Sequence, residues 1–517
     1  MDYFIGHGID RRFSGIERAE LNRLALFKQM GRPAKILRFS FTRMAHDDAA
    51  LWGLADEDII NMFDWYQDAI TVARSVVTPS MVQPAKTRAV AGGREGDVQA
   101  VNYVAGDQVV AQVRYDIPTN AVNNVLWTDD AGRVRRTDSY DTRGFKTSTS
   151  FFTSGNRMIA EEYYTPAGEL ALRFEYNGDK GRGTTKITTR DFGDLPTSMD
   201  LERIFLQALA KQEPSRFFFD RDYTAHFLTQ VPLDARKFYV VHNNHRAYKR
   251  IQEEAKVAVM KQAGVSMKPK QHGYDMNQAI LANPGDIDAV MVSTQQQKEA
   301  LAVDYPQTKP VYVIPVGVEV TQPKRVQWSE RRTQEIIVVS RISTEKGIED
   351  SIEAMIRVHQ EFPQAHMSVY GGPNGPLGQL LLQNLQQRLV KAGLVNVVTF
   401  MGFKEKLDTI YDQAALFLMT SHTEAFSISL QEALAHGCPV VSYDIEFGPR
   451  DMIEDGVNGM LVPYGDLDGV VNAVTNLLRT PATLQSLSNG AYRLRKKYGA
   501  DAVWQQYQQL PETKRLS

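Results

Sequence analysis

One cysteine, Cys438, stands among 517 residues, so no disulfide can close within the chain, and a reducing compartment is the expectation. Its setting, His436-Gly437-Cys438-Pro439-Val440-Val441, lies between a helix end and an apolar strand, which suits a small buried residue better than a catalytic thiol. Long apolar runs are also missing. No stretch approaches the roughly 20 residues that span a bilayer, and Met1-Asp2-Tyr3-Phe4-Ile5 lacks the basic start and apolar run of a signal peptide. The expected location is therefore cytoplasmic, with any membrane association peripheral at the inner face. Charge of one sign is scarce too. With 59 Lys and Arg against 61 Asp and Glu, the net charge of −2 removes the general basic excess that nucleic acid calls for. A polyanionic partner would need a local patch. What remains, 43% hydrophobic and 23% charged residues, is ordinary for a globular chain, and the length allows about three units of about 150 residues each.

Texture along the chain separates those units. From Asp97 to about Gly193 turn signals recur at Asp129-Asp130-Ala131-Gly132, Thr142-Arg143-Gly144, Ser154-Gly155-Asn156, Pro166-Ala167-Gly168 and Asn177-Gly178-Asp179. Between them run short β-branched and aromatic segments such as Arg157–Tyr164 and Leu170–Tyr176, the pattern of an antiparallel meander. A meander has one face to hide, so it should pack on another domain or on a second copy of itself. On either side the pattern changes to short apolar strands separated by helices: Lys237–Val241, Ala289–Val292, Val311–Ile314, Glu335–Val339, Met367–Tyr370 and Pro439–Tyr443. That alternation predicts parallel sheets covered on both faces. The expected division is residues 1–80 and 197–320 for a first doubly wound domain, 81–196 for the inserted meander, 321–490 for a second doubly wound domain and 491–517 for a C-terminal helical segment. Two such domains face a cleft, and ligands of these folds sit beyond the carboxyl ends of the strands.

The most informative residues fall at such an end. Ala414–Met419 reads as a buried strand and Leu430–Ala435 as a helix ending at Gly437, with Glu424 and Glu432 in the stretch Thr423–Glu432, where a loop carrying Glu424 runs into that helix. Free amides and the positive end of the helix dipole converge there. Two carboxylates at that point suit a ligand carrying both hydroxyls and phosphates, such as a sugar nucleotide. A glycosidase acid–base couple is the rival reading, but eight fully helical steps would separate the acids by about 12 Å, beyond the roughly 5 to 9.5 Å of glycosidases. Ordinary surface acids are the third reading.

Other segments converge on the same cleft. Arg341 and Lys346, in Ser340–Gly347 after a strand, are spaced to reach one diphosphate and offset its charge as it leaves; solvated surface charge is the alternative. Ser14 and Glu17 have capping-box spacing, and Gly15 between them lets a phosphate approach the helix amides. Gly6-His7-Gly8 lacks the third glycine of a dinucleotide fingerprint. His242 follows a strand and is expected to face the cleft, while His242 and His245 have no evident third ligand for zinc. Asp220-Arg221-Asp222 and Asp286-Ile287-Asp288 are Asp-x-Asp triplets of the kind that hold Mn²⁺ or Mg²⁺ in some sugar transferases, but a two-residue pattern is common by chance.

Together these segments resemble the retaining GT-B glycosyltransferases of family 4, whose signature is two glutamates with seven residues between them. The resemblance rests on Glu424 and Glu432, Arg341 and Lys346, the Gly15 loop, His242 and Asp455–Val462, and with the meander it narrows to bacterial enzymes that modify serine-rich repeat adhesins or wall teichoic acid. Ser14–Ala19 and Arg32–Ile36 resemble the adhesin branch; Phe447–Ile453 resembles the teichoic acid branch. The resemblance implies transfer of glucose or N-acetylglucosamine from a UDP-sugar to serine or threonine of an adhesin, or alternatively to a polyol phosphate. It also implies roles: Arg341 and Lys346 on the diphosphate with amides of Gly15 and of Phe426, Ser427 and Ile428; Glu432 on the ribose; Glu424 on the sugar; His242 beside the sugar and the departing oxygen. No protein nucleophile, no metal and no cofactor are expected. The expected partners are the UDP-sugar, the acceptor and further copies of the chain joined through the meander. A non-catalytic sister subunit is a contrasting reading, disfavoured because such copies typically lose the glutamates and cations retained here.

Overall fold

The computed structural model describes residues 1–6, 8, 14–177, 183–246, 256–257, 260, 276–317 and 323–512. His7, Gly178 and Asp179 of the segments above, and the boundary expected between 320 and 321, fall outside the described residues.

A seven-stranded parallel sheet runs in the order Val311–Val313, Ala289–Val292, Arg236–Val240, Arg216–Phe219, Asp2–Gly6, Ala34–Arg38, Ile59–Asn61. Its central strands are buried along their whole length, as a sheet covered by helices on both faces requires. Strands from before and after the insertion meet at its centre, where Phe4 lies opposite Phe218. The chain therefore leaves this sheet, builds the meander, and returns to finish it. The second parallel sheet has six strands in the order Val398–Gly402, His366–Tyr370, Arg332–Val339, Ala414–Met419, Val440–Asp444, Gly459–Pro463. After it, helix Ala500–Tyr507 crosses back to the first domain, where Trp504 and Tyr507 set their rings 5.1 and 5.0 Å from Phe27.

Between the halves of the first sheet stands a ten-stranded antiparallel meander from Arg88–Glu95 to Gly193–Leu195, each strand paired with the next in sequence. Its turns place Gly132, Gly144, Asn156 and Gly168 at positive φ, which these residues adopt most easily. The later strands hide their face on the first domain: Tyr163, Leu172, Phe174 and Ile187 share one core with Leu37, Phe39, Ile60 and Phe205. Each such side chain stabilises by about 1.5–3 kcal/mol when fully buried. The earlier strands gather a smaller core of Tyr103, Ala111, Val113, Val122 and Val125, against which Val77 and Val82 pack.

Several strands escape the apolar-run pattern. Ala34–Arg38 carries a lysine and an arginine, Ile59–Asn61 is three residues long, and Val398–Gly402 is an edge strand with alternating exposure. The meander likewise begins one strand before Asp97, at Arg88–Glu95, where Gly92 and Gly93 weaken the β signal.

Candidate active site

Strand Ala414–Met419 is buried at all six positions and delivers the chain to the loop that carries Glu424. Helix Ile428–Ala435 then starts at Ser427, whose φ of 79° and ψ of 91° are unusual for a residue with a side chain. Such backbone strain, of order 1–3 kcal/mol, persists where the surroundings dictate it and concentrates at ligand sites. Ser427 Oγ accepts from the Leu430 amide at 3.4 Å, so the strained residue also caps the helix.

The two glutamates face different partners. Glu424 Oε1 accepts from Lys346 Nζ at 2.8 Å and from Ser421 Oγ at 2.9 Å. A tight turn brings Lys346 there: Gly347 has φ 56°, and a Cβ on it would stand 2.0 Å from the Thr420 carbonyl oxygen. Only glycine lets the two loops touch. Glu432 Oε2 accepts from the Tyr411 hydroxyl at 3.1 Å, and its Oε1 lies 3.4 Å from Arg18 Nη2, a cation from the opposite domain. Burial raises the Glu432 carboxyl above its ordinary range, against the pull of Arg18 and Tyr411. Arg341 is 43% exposed, and its one ion pair among the described residues is with Glu345, at 3.3 Å; it lines the cleft.

From the first domain, helix Gly15–Gln29 presents its N-terminus. The capping box is complete: the Ser14 amide donates to Glu17 Oε2 at 2.7 Å, and Ser14 Oγ accepts from Ile16 at 3.3 Å. Glu17 also pairs with Arg221. Gly15 needs no special backbone conformation, and a Cβ on it would meet nothing within 4 Å. The space in front of it belongs to the cleft. His242 stands at the same mouth with Nε2 2.7 Å from Asp220 Oδ1. Asp220 also takes both terminal nitrogens of Arg23, at 2.9 and 2.8 Å. Burial alone would raise this carboxyl, but Arg23 and His242 pull it down to about 2.

Gly15, His242, Arg341, Lys346, Glu424, Phe426, Ser427, Ile428 and Glu432 all line one cavity of about 1180 Å³ between the two parallel sheets. Phe426 is itself buried, with its ring centroid 5.4 Å from that of Tyr498. The Asp-x-Asp triplets go elsewhere: Asp220 is consumed by Arg23 and His242, Asp286 pairs with Lys237 at 3.3 Å, and Asp288 accepts from Arg236 at 2.7 Å. Among the described residues no three His, Cys, Asp or Glu side chains cluster as a metal site would require. Cys438 is fully buried, and burial pushes its thiol up to about 12. Sequence reasoning passed over Arg18, Arg221 and Tyr411, which also line the cavity. Arg18 carries a readable signal, being in the first turn after the cap; its pairing with Glu432, 414 residues away, carries none.

Residues 321–494 match the family model for glycosyl transferases group 1, and residues 95–180 match that for the GtfB middle domain. Among curated relatives, the poly(glycerol-phosphate) alpha-glucosyltransferase of Bacillus subtilis is 21% identical over 96% of this chain and 72% of its own length. The UDP-N-acetylglucosamine–peptide N-acetylglucosaminyltransferase GtfA subunit of Streptococcus gordonii is 24% identical over 98% of this chain and 97% of its own. Among solved structures, the pneumococcal O-GlcNAc transferase GtfA, determined with UDP and GlcNAc, superposes with a TM-score of 0.80 at 19% identity, covering 98% of this chain and 97% of that one. TarM gives 0.79 at 16% identity, covering 98% and 97%. These likenesses establish the GT-B fold, with two parallel-sheet domains and the antiparallel insertion.

Proposed function

We infer that this chain, whose residues 321–494 match the family model for glycosyl transferases group 1, is a glycosyltransferase that moves glucose or N-acetylglucosamine from a UDP-sugar, with retention, to serine or threonine hydroxyls of a serine-rich surface protein. The observation that carries the reading is the convergence of Arg341, Lys346, Glu424 and Glu432 on one cavity with the open helix end at Gly15. A diphosphate placed between Gly15 and Arg341 meets two cations and the amides of two helix N-termini, which stabilise charge as the nucleotide departs. Glu432, with Tyr411 orienting it, accepts from the ribose hydroxyls. Glu424 holds the sugar, and the acceptor hydroxyl attacks from the face that UDP leaves, passing its proton to a donor phosphate oxygen. His242, fixed by Asp220, lies beside the sugar and the departing oxygen. This scheme needs neither a protein nucleophile nor a metal, because orientation and the fixed positive field do the stabilising.

The acceptor rests on the relatives: the GtfA subunits are peptide N-acetylglucosaminyltransferases, and the Streptococcus gordonii one matches nearly the full length of both chains. A second reading, transfer to poly(glycerol phosphate), is favoured by the Bacillus subtilis relative. The test is to incubate the protein with each UDP-sugar and either a serine-rich peptide or poly(glycerol phosphate), and to measure added mass and free UDP. Transfer to peptide supports the first reading and transfer to the polymer the second. No turnover with either donor on either acceptor overturns both.

A further inference from the structure

Balanced overall charge leaves a polyanion only a local patch to bind, and one such patch lies outside the cleft. A second cavity, of about 820 Å³, is lined by Arg325, Gly456, Val457, Ser486, Asn489, Gly490, Tyr492, Arg493, Arg495 and Lys496, four cations and no carboxylate. Arg325, Arg493 and Lys496 are exposed, and none of the three has an ion-pair partner among the described residues. Lys324 and Lys497 flank it in sequence and are exposed as well. Gathering Arg325, Arg493 and Lys496 in one groove without ion-pair partners among the described residues is unfavourable by itself; a bound anion relieves the repulsion.

The groove is also pre-organised. The Arg325 and Arg495 guanidinium carbons lie 4.8 and 4.4 Å from the centroid of the Tyr492 ring, within cation–π range. Tyr492 cannot swing away, since its hydroxyl accepts from the Val326 amide at 3.0 Å and from Arg331 at 3.4 Å, and a Cβ on Gly437 would stand 2.2 Å from its ring. Arg495 is steadied further by donating to the Ala435 carbonyl at 2.7 Å. Two guanidiniums held at a wall, with Ser486 and Asn489 as neutral hydrogen-bonding neighbours, suit the oxygens of phosphate groups.

We propose that this groove, formed by Arg325, Arg493, Arg495 and Lys496 around Tyr492, binds a phosphodiester polymer strand at a site separate from the cleft. A strand fits better than a membrane plane: the surface is concave, and none of the large exposed apolar side chains lines it, so nothing is presented for insertion among acyl chains. The inference stands whichever acceptor the cleft uses, because the two sites share no lining residue.

The experiment measures binding of the full-length protein to defined poly(glycerol phosphate) oligomers, to inorganic phosphate and to phosphatidylglycerol vesicles, across a salt series. The probes are wild type and the double variant Arg493→Glu, Lys496→Glu, with UDP affinity measured alongside. Expected are saturable oligomer binding that weakens steeply with salt, at least a tenfold loss in the double variant, little binding of single phosphates, and unchanged UDP affinity. Equal oligomer binding by wild type and variant, or no oligomer binding, overturns the proposal. Vesicle binding that exceeds oligomer binding and falls in the variant overturns it in favour of a membrane surface. Failure here leaves donor turnover in the cleft intact, so it is distinguishable from failure of the transferase reading.

Discussion

Lys346 Nζ donates to Glu424 Oε1 at 2.8 Å, so the cation suited to a diphosphate and the acid suited to a sugar hold each other. Both side chains are mostly buried, at 16% and 12% exposure. Removing one partner leaves the other charge buried and uncompensated, and a donor then enters a distorted site. Lys346→Ala is therefore expected to lower kcat/KM by about 10²–10³, the loss typical of one stabilising group at developing charge. Glu424→Gln keeps the shape but loses the ion pair, and should lower kcat more than it raises the KM for donor. Steady-state kinetics with both variants, with circular dichroism to confirm folding, decide the matter; wild-type kcat in either would remove that residue from the site.

Arg18 and Glu432 make the corresponding contact across the cleft. In the proposed role Glu432 accepts from the ribose hydroxyls as the ionised carboxylate, and burial raises it from its ordinary value near 4.5. The sign follows directly: donor affinity is full above the raised value and is lost as pH falls through it. Removing Arg18 takes away a cation that opposes the shift, so Arg18→Ala should move this acid limb to higher pH. Glu432→Gln should flatten the limb and weaken binding by about 1–3 kcal/mol. Titration of UDP binding between pH 5 and 8 (a range set by the histidine and raised-carboxylate region) checks both, and an acid limb unmoved in Arg18→Ala would show that Arg18 does not act on Glu432.

Legibility of the sequence followed the range of the physics involved. The strand Ala414–Met419, the capping box at Ser14 and the turns at Gly132 and Gly168 are local, and each was readable from a few neighbouring residues. The cleft residues were readable because strand ends in a doubly wound sheet all point one way. Pairings across the chain were not. The Lys346–Glu424 pair, Arg18 on Glu432 and the consumption of Asp220 by Arg23 join segments 78, 414 and 197 residues apart. Nor did the pattern reveal the central strand Arg216–Phe219, whose apolar run is only three phenylalanines long and opens on a buried arginine paired with Asp2.

Glu202, on helix Ser198–Gln212, offers a stability test outside the cleft. Burial alone raises its carboxyl to about 7 from 4.5, and no cation pairs with it among the described residues. A carboxyl raised in the folded state binds its proton more tightly there than in the unfolded chain, so the contribution of Glu202 to stability is greatest below about 4.5 and is lost as pH rises through 7. Glu202→Gln should thus stabilise the protein at pH 8 by about 1–3 kcal/mol and change little at pH 4.5. Denaturant unfolding at the two pH values measures it, and an equal effect at both would rule out the titration as the cause.

Gly15 separates a ligand-driven glycine from a backbone-driven one. It occupies the first position of helix Gly15–Gln29, it needs no positive φ, and a Cβ there would find 4 Å of empty space. Alanine is a better helix former by up to about 1 kcal/mol, so Gly15→Ala should leave the melting temperature unchanged or slightly raised. The same methyl group projects where a phosphate would approach the helix amides, and the KM for donor should rise about tenfold, the equivalent of one weakened hydrogen bond to a charged group. Gly15→Val should raise it further while the capping box of Ser14 and Glu17 stays formed. Unfolding of either variant would assign the glycine to the fold, and unaltered donor KM in both would place the diphosphate away from this helix end.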